Sequence, residues 1–169
     1  MNYYELSLGR GLTLLVDIAD EPLWGSYRWY AYRGARDTTF YARTNIDGNT
    51  LLLHRLLVGA TPTQLVDHRN RNGLDDRRSN LRICTPAQNA SNRPPPKNNT
   101  SGYKGVVWLP SSRKWRATIG GNGQPRKSLG LFTDPWEAAQ AYNRAALEQW
   151  GEFARLNERQ LVTPGHRPK

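Results

Sequence analysis

The feature that most constrains this chain is a run of three prolines at residues 94–96. Proline has no backbone N–H and disfavours helix in the residue before it, so no helix or central strand can run through this point. The stretch PPPKNNTS, residues 94–101, is typical of an extended linker. Only 37% of the 169 residues are hydrophobic, which favours two compact modules over one large core. The sequence predicts domains at 1–93 and 102–157 and a tail at 158–169.

The charge is unevenly distributed. The formal net charge is +10, of which residues 1–93 contribute +3 and residues 94–169 contribute +7. Residues 94–127 hold seven basic residues and no acid. A field of one sign over such a length, interleaved with Trp and Tyr, favours a polyanion such as DNA or RNA as partner, although a solvated face that aids solubility is the simpler alternative.

Several classes of protein are disfavoured by composition. The single cysteine, Cys84, allows no intramolecular disulfide and no cysteine-based zinc site, and a small buried group in a strand is its expected role. The amino terminus shows no basic leader with an apolar core, and no run approaches the ~20 apolar residues of a membrane helix. We expect a cytoplasmic protein of a bacterial or phage-infected cell, with no structural zinc and no membrane partner.

The first fifty residues have the composition of short strands. The stretches GLTLLVDI, SYRWYAYR and TFYARTNI are rich in β-branched and aromatic residues and are separated by Gly, Pro and Asp. NIDGN predicts a turn, and LLLHRLLVG is consistent with a strand that runs into a short helix. His54, within it, is interpreted as a hydrogen-bonded, partly buried histidine.

Residues 66–92, VDHRNRNGLDDRRSNLRICTPAQNASN, predict a strand, a loop, a returning strand and a helix. Asn72-Gly73 is a strong turn signal, and LRICT has strand composition. Thr85-Pro86-Ala87-Gln88 is a capping box with proline in the first helical position. The helix is expected to begin at Pro86 and to hold Asn89 near its first turn.

This stretch collects the groups that phosphodiester hydrolysis requires. Asp67 and Asn89 offer one charged and one neutral oxygen, the ligand type that hard divalent ions prefer. His68 can take a proton from water near neutral pH. Asn80 is expected to fix the loop that aims His68. The arginines expected to hold neighbouring phosphates are Arg69, Arg71, Arg77 and Arg78.

Each of these residues alone has a simpler explanation. An isolated Asp-His pair is usually structural, an asparagine often caps a turn, and a helix asparagine is often a surface residue. In combination, HRLL at 54–57 followed by residues 66–93 resembles the HNH nuclease family, in particular the branch of phage and intron-encoded homing endonucleases.

The resemblance implies a ββα-metal module in which a hairpin and a helix hold one metal ion. It implies that His68 is the general base, that Asp67 and Asn89 are metal ligands, and that Asn80 is the structural middle asparagine. Many relatives have histidine at the third signature position, where this chain has Asn89, which favours Mg²⁺ or Mn²⁺ over zinc. The match is close over residues 50–93 and looser in the strands before them.

The second module has the pattern of three strands and one helix. GYKGVVWL, KWRATIG and RKSLGLF are separated by PSSR and GGNGQP turns. Alternation along the middle strand predicts that Trp115 faces the core and that Arg116 and Thr118 face outward. Asp134-Pro135-Trp136-Glu137 predicts a helix start, and Gly151 predicts its end. Its alanine-rich stripe would pack on the inner sheet face and leave the outer face free.

Residues 101–157, with YKGV, LG-F, EAA-AY-AA and LN, resemble the APETALA2/ethylene-response-factor DNA-binding domain. The resemblance implies that the outer sheet face enters the major groove. It places Lys104 and Arg126 at positions of DNA-contacting arginines, Tyr142 at that of a phosphate-contacting tyrosine and Thr118 at that of a base-contacting glutamate. Further phosphate contacts are expected from Arg113, Lys114, Arg116 and Lys127.

These inferences predict an α+β protein: a strand-rich HNH ββα-metal module joined by a Pro-rich linker to a three-stranded antiparallel sheet on one helix. The predicted function is metal-dependent cleavage of double-stranded DNA, of homing or phage type. The oligomeric state is left open with a monomer favoured, as is the choice between nicking one strand and cutting both. A DNA-binding regulator with an inactive nuclease module is the alternative, and an RNA-binding protein is a third, weaker interpretation because no stacking motif for single strands is evident.

Overall fold

The computed structural model describes residues 2–35, 37–121 and 124–159. These residues form a mixed α and β structure with several small antiparallel sheets and few helices. The chain divides into two compact units, Met1–Asn89 and Ala90–Lys169. Residues 122 and 123 of the predicted GGNGQP turn, and residues 160–169 of the predicted tail, lie outside the described residues.

The N-terminal unit contains seven described strands and short helices. The strands are β1 Tyr3–Ser7, β2 Thr13–Asp17, β3 Tyr30–Tyr32, β4 Tyr41–Ile46, β5 Asn49–Leu52, β6 Leu65–His68 and β7 Leu81–Cys84. The helices are α1 Glu21–Trp24, α2 Leu53–Leu57 and α3 Pro86–Ser91, the last of which continues into the second unit. The sheets are the hairpin β1–β2, the meander β3–β4–β5 and the hairpin β6–β7.

The lead-in strands agree with the predicted positions of β2 and β4, and they also contain one strand that was not predicted. β1 pairs with β2 along its whole length, from Tyr3 opposite Asp17 to Ser7 opposite Thr13. The boundary between strand and helix in LLLHRLLVG, which the sequence did not locate, falls between Leu52, which ends β5, and Leu53, which begins α2. α2 buries Leu53 and Leu57 in the same core as Leu14 and Val16 of β2, so the hairpin and the helix share one apolar centre.

The strand, loop, strand and helix predicted for residues 66–92 are present. β6 and β7 pair antiparallel, with Asp67 opposite Arg82 and His68 opposite Leu81. The capping box is formed, because Thr85 Oγ1 accepts from the Gln88 N–H at 3.2 Å and Gln88 Oε1 accepts from the Thr85 N–H at 2.8 Å. The helix therefore begins at Pro86, as predicted.

The C-terminal unit consists of three strands and one long helix. Its elements are β8 Val106–Leu109, β9 Lys114–Gly121, β10 Gln124–Phe132 and α4 Pro135–Trp150. β9 is the central strand, and both of its neighbours are antiparallel. Asp134 caps α4 by accepting from the N–H groups of Trp136 and Glu137, at 2.7 and 3.0 Å. The predicted sheet and helix are thus both present.

Small side chains let α4 lie close to the sheet. Its Ala138, Ala139 and Ala146 are fully buried, as is Ala117 of β9. Gly105 is required at its position, because it has a φ of 77° and an added Cβ would lie 2.1 Å from the ring of Tyr142. This close contact fixes the start of β8 against the helix.

The predicted extended linker is only partly extended. Residues 96–99 form a turn in which the Asn99 N–H donates to the Pro96 carbonyl at 2.9 Å. Asn99 and Ser101 both donate from their side chains to the Tyr103 carbonyl, at 2.9 and 3.0 Å. Polar side chains that reach local backbone groups thus override the extended tendency of the prolines.

No helix in the described part of the chain is both long enough and apolar enough to cross a membrane.

Candidate functional site

His68, at the end of β6, is held by a carboxylate that was not among the predicted site residues. Its Nε2 lies 2.8 Å from Asp76 Oδ1, and both side chains are buried. A carboxylate on one ring nitrogen fixes the tautomer of a neutral imidazole, because the other nitrogen then carries the lone pair. In a neutral ring, Asp76 therefore holds the proton on Nε2 and leaves the lone pair on Nδ1.

Asp76 is positioned by the lead-in strands. Its backbone N–H donates to the Leu15 carbonyl at 2.8 Å, and the Leu15 N–H donates to the Leu74 carbonyl at 2.8 Å. Through these bonds the loop pairs with the edge of β2 as an isolated β-bridge between Leu15 and Asp75. The N-terminal hairpin thus has a direct part in building the site.

Gly73 allows the same loop to lie against β4. A Cβ at this residue would lie 2.4 Å from the Phe40 carbonyl oxygen and 2.7 Å from the Tyr41 ring. The Gly73 N–H also donates to Thr39 Oγ1 at 3.0 Å. The predicted Asn72-Gly73 turn is therefore both a turn and a point of close backbone approach.

Asn80 ties the two ends of the loop together. Its Oδ1 accepts from the Asn70 N–H at 3.0 Å, and its Nδ2 donates to the Asp75 carbonyl at 2.7 Å. Its own carbonyl accepts from the Arg69 N–H at 2.9 Å. Since residues 69 and 70 directly follow His68, these bonds hold the end of β6 in place.

Asp67, on the opposite face of β6, forms a buried ion pair with Arg82. Asp67 Oδ2 accepts from Arg82 Nη2 at 2.7 Å and from Nε at 2.9 Å. The two residues are direct cross-strand neighbours, so the hairpin register creates the pair. The pair fixes the orientation of the carboxylate and offsets its charge.

Asn89, the other predicted metal ligand, is half-buried in α3. Its backbone N–H donates to the Thr85 carbonyl at 2.9 Å, which places it one turn after the cap. The capping box therefore determines the position of this carboxamide relative to the end of β7.

His54 lies in α2 and was interpreted as hydrogen-bonded and partly buried. It is 6% exposed, and its Nδ1 is buried with no hydrogen-bond partner among the described residues. Its ring centroid lies 5.1 Å from that of His68 and 5.2 Å from that of Tyr41. The interpretation of a satisfied histidine is therefore wrong, and His54 belongs to the site.

The surroundings of His54 keep its imidazole neutral. Burial, followed by the proximity of His68 and Arg55, lowers the pKa of His54 to about 3. Burial raises the pKa of Asp76, although its hydrogen bond to His68 acts in the other direction. One ligand atom from each of His54, His68 and Asp76 lies within 4.8 Å of the other two.

Arg77 and Arg78, which were expected at DNA phosphates, pair with carboxylates of the protein. Arg77 forms a bidentate pair with Asp75 within the loop, with both distances 2.7 Å. Arg78 Nε lies 2.8 Å from Asp20 Oδ1, and this pair joins the loop to the segment that follows β2. Arg69 and Arg71 are exposed.

Part of the predicted DNA-binding set lies on the outer face of the C-terminal sheet. Strand register places Arg116 beside Val107 on one side and Leu131 on the other, while Thr118 lies beside Ser128. The exposed members of the set in this unit are Arg113, Lys114, Arg126 and Lys127. Trp115 faces inward, as predicted, and its ring contacts that of the half-exposed Trp108 at 5.0 Å.

Lys104 and Tyr142 occupy different surroundings from the rest of that set. Lys104 Nζ donates to the carbonyls of Ala90, Ser91 and Arg93, so it caps the end of α3. Burial, followed by nearby arginines, lowers the pKa of Lys104 to about 8. Tyr142 is 3% exposed within the core between α4 and the sheet.

Sequence reasoning did not identify Asp76, Arg82 or His54 as site residues. Arg82 could have been identified from the sequence, because it lies as far after the loop of the hairpin as Asp67 lies before it and is therefore its cross-strand partner. Asp76 had none, since its orientation depends on the contact with Leu15. His54 was visible as a histidine in an apolar run, which is more often a core residue.

Comparison with known proteins gives two informative relatives. An uncharacterized HNH endonuclease, L560, of Acanthamoeba polyphaga mimivirus is 31% identical over 159 residues, which is 90% of this chain and 79% of that protein. Protein 3.8 of Escherichia phage T7 is 36% identical over 91 residues, which is 54% of this chain and 74% of that protein. No family model and no solved structure gives a significant match.

Proposed function

Because the chain belongs to the HNH endonuclease family, we propose that it is a metal-dependent endonuclease that hydrolyses phosphodiester bonds in duplex DNA. The observation that carries the proposal is the 2.8 Å contact between His68 Nε2 and Asp76 Oδ1. It supports an oriented imidazole at the position where the family pattern requires a base. The phage relative is consistent with a nuclease of phage type; a homing role is a further hypothesis.

In the proposed reaction His68 is the general base. Asp76 accepts a hydrogen bond from the Nε2–H group, which keeps that proton on the ring, and Nδ1 takes a proton from the attacking water. Asn80 holds the loop that follows His68, and the ion pair with Arg82 orients Asp67. The water oxygen forms a bond to phosphorus as the bond to the 3′ oxygen breaks. The departing 3′ oxygen takes a proton from solvent, which leaves 5′-phosphate and 3′-hydroxyl ends.

The donor set suits a hard divalent ion. The oxygens of Asp67 and Asn89 are the ligand type that Mg²⁺ and Mn²⁺ prefer. Such an ion, when bound, stabilises negative charge on the scissile phosphate and on the leaving oxygen. The exposed Arg69 and Arg71 are proposed to contact neighbouring phosphates.

We assign DNA anchoring to the C-terminal unit, as an APETALA2-like domain. Three antiparallel strands on one helix, with basic residues on the outer face, support this assignment. Arg113, Lys114, Arg116, Arg126 and Lys127 are the proposed phosphate contacts, and Thr118 is the proposed groove-facing residue. Lys104 is assigned to the support of α3 because its ammonium group is bound to three carbonyls.

The test is strand scission by the purified, untagged full-length protein. We expect nicked or linear products from supercoiled plasmid and phage DNA with Mg²⁺ or Mn²⁺, and no product with EDTA. His68→Ala should abolish cleavage, whereas His166→Ala, at the third histidine of the chain, should not. Intact DNA with both metals, across diverse phage and genomic substrates, would overturn the proposal.

One observation favours the alternative of a DNA-binding regulator with an inactive nuclease module. The charge of Asp67 is already offset by Arg82, which weakens the attraction of that carboxylate for a cation. A mobility shift that persists in EDTA, with no scission after addition of metal, would select this alternative.

A further inference from the structure

His68 belongs to a second cluster of possible metal ligands, whose donor atoms differ from those of the proposed Asp67–Asn89 ion site. His54 from α2, His68 from β6 and Asp76 from the loop each contribute one ligand atom, and these atoms lie within 4.8 Å of one another. The three side chains are 6%, 5% and 0% exposed. Two imidazoles and one carboxylate in a buried position are a typical set of transition-metal ligands.

We propose that His54, His68 and Asp76 form a second cation site, selective for Zn²⁺ and similar transition ions, and that its occupation inhibits the enzyme. The site lies on the His68 face of β6, and Asp67 points to the opposite face. It therefore differs from the oxygen site of the proposed function in both position and donor type.

Two unsatisfied atoms point to a ligand in this cluster. Within the described part of the chain, His54 Nδ1 and Asp76 Oδ2 are buried and have no hydrogen-bond partner. A buried polar atom that is left unpaired destabilises the folded state, because it has lost its hydrogen bond to water. A neutral imidazole nitrogen and a carboxylate oxygen are both electron-pair donors. One cation bound between them can therefore satisfy both atoms.

The geometry is close to that of a coordination sphere. A tetrahedral ion with bonds of about 2.0–2.1 Å separates its ligand atoms by roughly 3.4 Å. The ligand atoms here need to approach by at most about 1.4 Å, an adjustment that side-chain rotation provides. Nitrogen donors favour Zn²⁺, Co²⁺ and Ni²⁺, while Mg²⁺ prefers oxygen ligands and retains water.

Inhibition follows from the shared residue, and this step rests on the proposed function. A metal bond to His68 uses the imidazole lone pair or displaces its hydrogen bond to Asp76, so the ring can no longer be an oriented base. Zn²⁺ is therefore expected to stop Mg²⁺-dependent cleavage, with a fourth ligand position left to water.

Binding is measured first, without DNA and without reference to activity. Untagged, chelator-stripped full-length protein is titrated with ZnCl₂ by calorimetry in the presence of excess Mg²⁺. We expect one Zn²⁺ per chain, and His54→Phe and Asp76→Asn should each weaken binding by more than about tenfold. His166→Gln is the matched histidine control and should bind as the wild type does.

Imidazole ¹⁵N spectra of the wild-type protein give a result that needs no substitution within the cluster. Zn²⁺ should shift one ring nitrogen of each of two histidines and leave the third, which His166→Gln assigns, unchanged. Absence of Zn²⁺ binding, or binding that involves neither His54 nor Asp76, would overturn the site and leave an ordered water as the occupant of the cluster.

A DNA-cleavage assay distinguishes the proposed nuclease function from the proposed inhibitory Zn²⁺ site. Loss of Mg²⁺-dependent nicking upon addition of Zn²⁺, at the concentration that saturates the calorimetric site, supports the inhibitory role. Zn²⁺ binding by a protein that never cuts DNA would overturn the proposed function alone. Cleavage that proceeds unchanged with the site saturated would overturn the inhibitory role.

Discussion

At the scale of single residues, the contact between Asp76 and His68 has the largest consequence for chemistry. A carboxylate can only accept a hydrogen bond at neutral pH, whereas a carboxamide can also donate one. In the proposed mechanism, the identity of residue 76 therefore selects the tautomer of His68 and the nitrogen that takes the proton. Asp76 is proposed to position the base and is not itself expected to touch substrate.

We predict that Asp76→Asn lowers the turnover number for nicking by about 10²–10⁴-fold, because the amide can donate to Nε2 and move the ring proton to Nδ1. Burial raises the pKa of Asp76, because the folded state disfavours the charged carboxylate. The contribution of Asp76 to the stability of the folded state therefore falls as pH rises above 3.8. The variant should therefore unfold no more easily than the wild type at pH 7. Wild-type turnover in the variant would contradict the positioning role.

We predict that Cys84 is unreactive in the native protein. Burial, followed by the charge of Asp67, raises the pKa of the Cys84 thiol from 9.0 to about 11. At pH 8 the thiolate fraction is then about 100-fold smaller than in the unfolded chain, and iodoacetamide labelling should be slower by at least that factor. The raised pKa of Cys84 contributes to the stability of the folded state fully below pH 9, and this contribution declines as pH rises towards 11. Equal labelling rates in buffer and in urea, measured by mass spectrometry, would contradict this expectation.

At the scale of elements, local signals were sufficient for some parts of the fold and insufficient for others. The capping box at Thr85–Gln88 and the cap at Asp134 involve residues three positions apart, so the starts of α3 and α4 could be predicted. β1 has no flanking signal of comparable strength, and its pairing is defined by β2. For the candidate site, the sequence predicted the hairpin that carries Asp67 and His68, whereas His54 and Asp76 approach His68 through tertiary contacts that local signals do not encode.

The β6–β7 hairpin gives a prediction about stability. The two side chains of the Asp67–Arg82 pair are 6% and 7% exposed, so Arg82→Met should remove the guanidinium from a buried carboxylate and lower the free energy of unfolding by about 3–5 kcal/mol. Adding Asp67→Asn should restore most of that loss. Urea denaturation of the two single variants and the double variant measures the coupling energy, and strictly additive losses would show that the pair contributes nothing.

At the scale of the whole molecule, the basic residues are divided between structural and surface roles. Arg77, Arg78 and Arg82 are joined to carboxylates within the N-terminal unit. In the C-terminal unit, Lys114 and Arg126 are exposed on the sheet side, where no acid occurs between residues 94 and 127. The net charge of +10 is therefore expected to act mainly through the C-terminal sheet.

We predict that Lys114→Gln weakens duplex DNA binding and that Arg144→Gln does not. Both side chains are exposed and both changes remove one positive charge, but Lys114 begins β9 whereas Arg144 lies on α4, which covers the opposite face of the sheet. Each phosphate contact contributes about 0.9 to the slope of log affinity against log salt concentration. Fluorescence anisotropy in EDTA, over a salt series, should show a slope reduced by about one for Lys114→Gln and unchanged for Arg144→Gln. Equal reductions would mean that DNA responds to the total charge of the molecule, and the outer face of the sheet would lose its assignment as the anchoring surface.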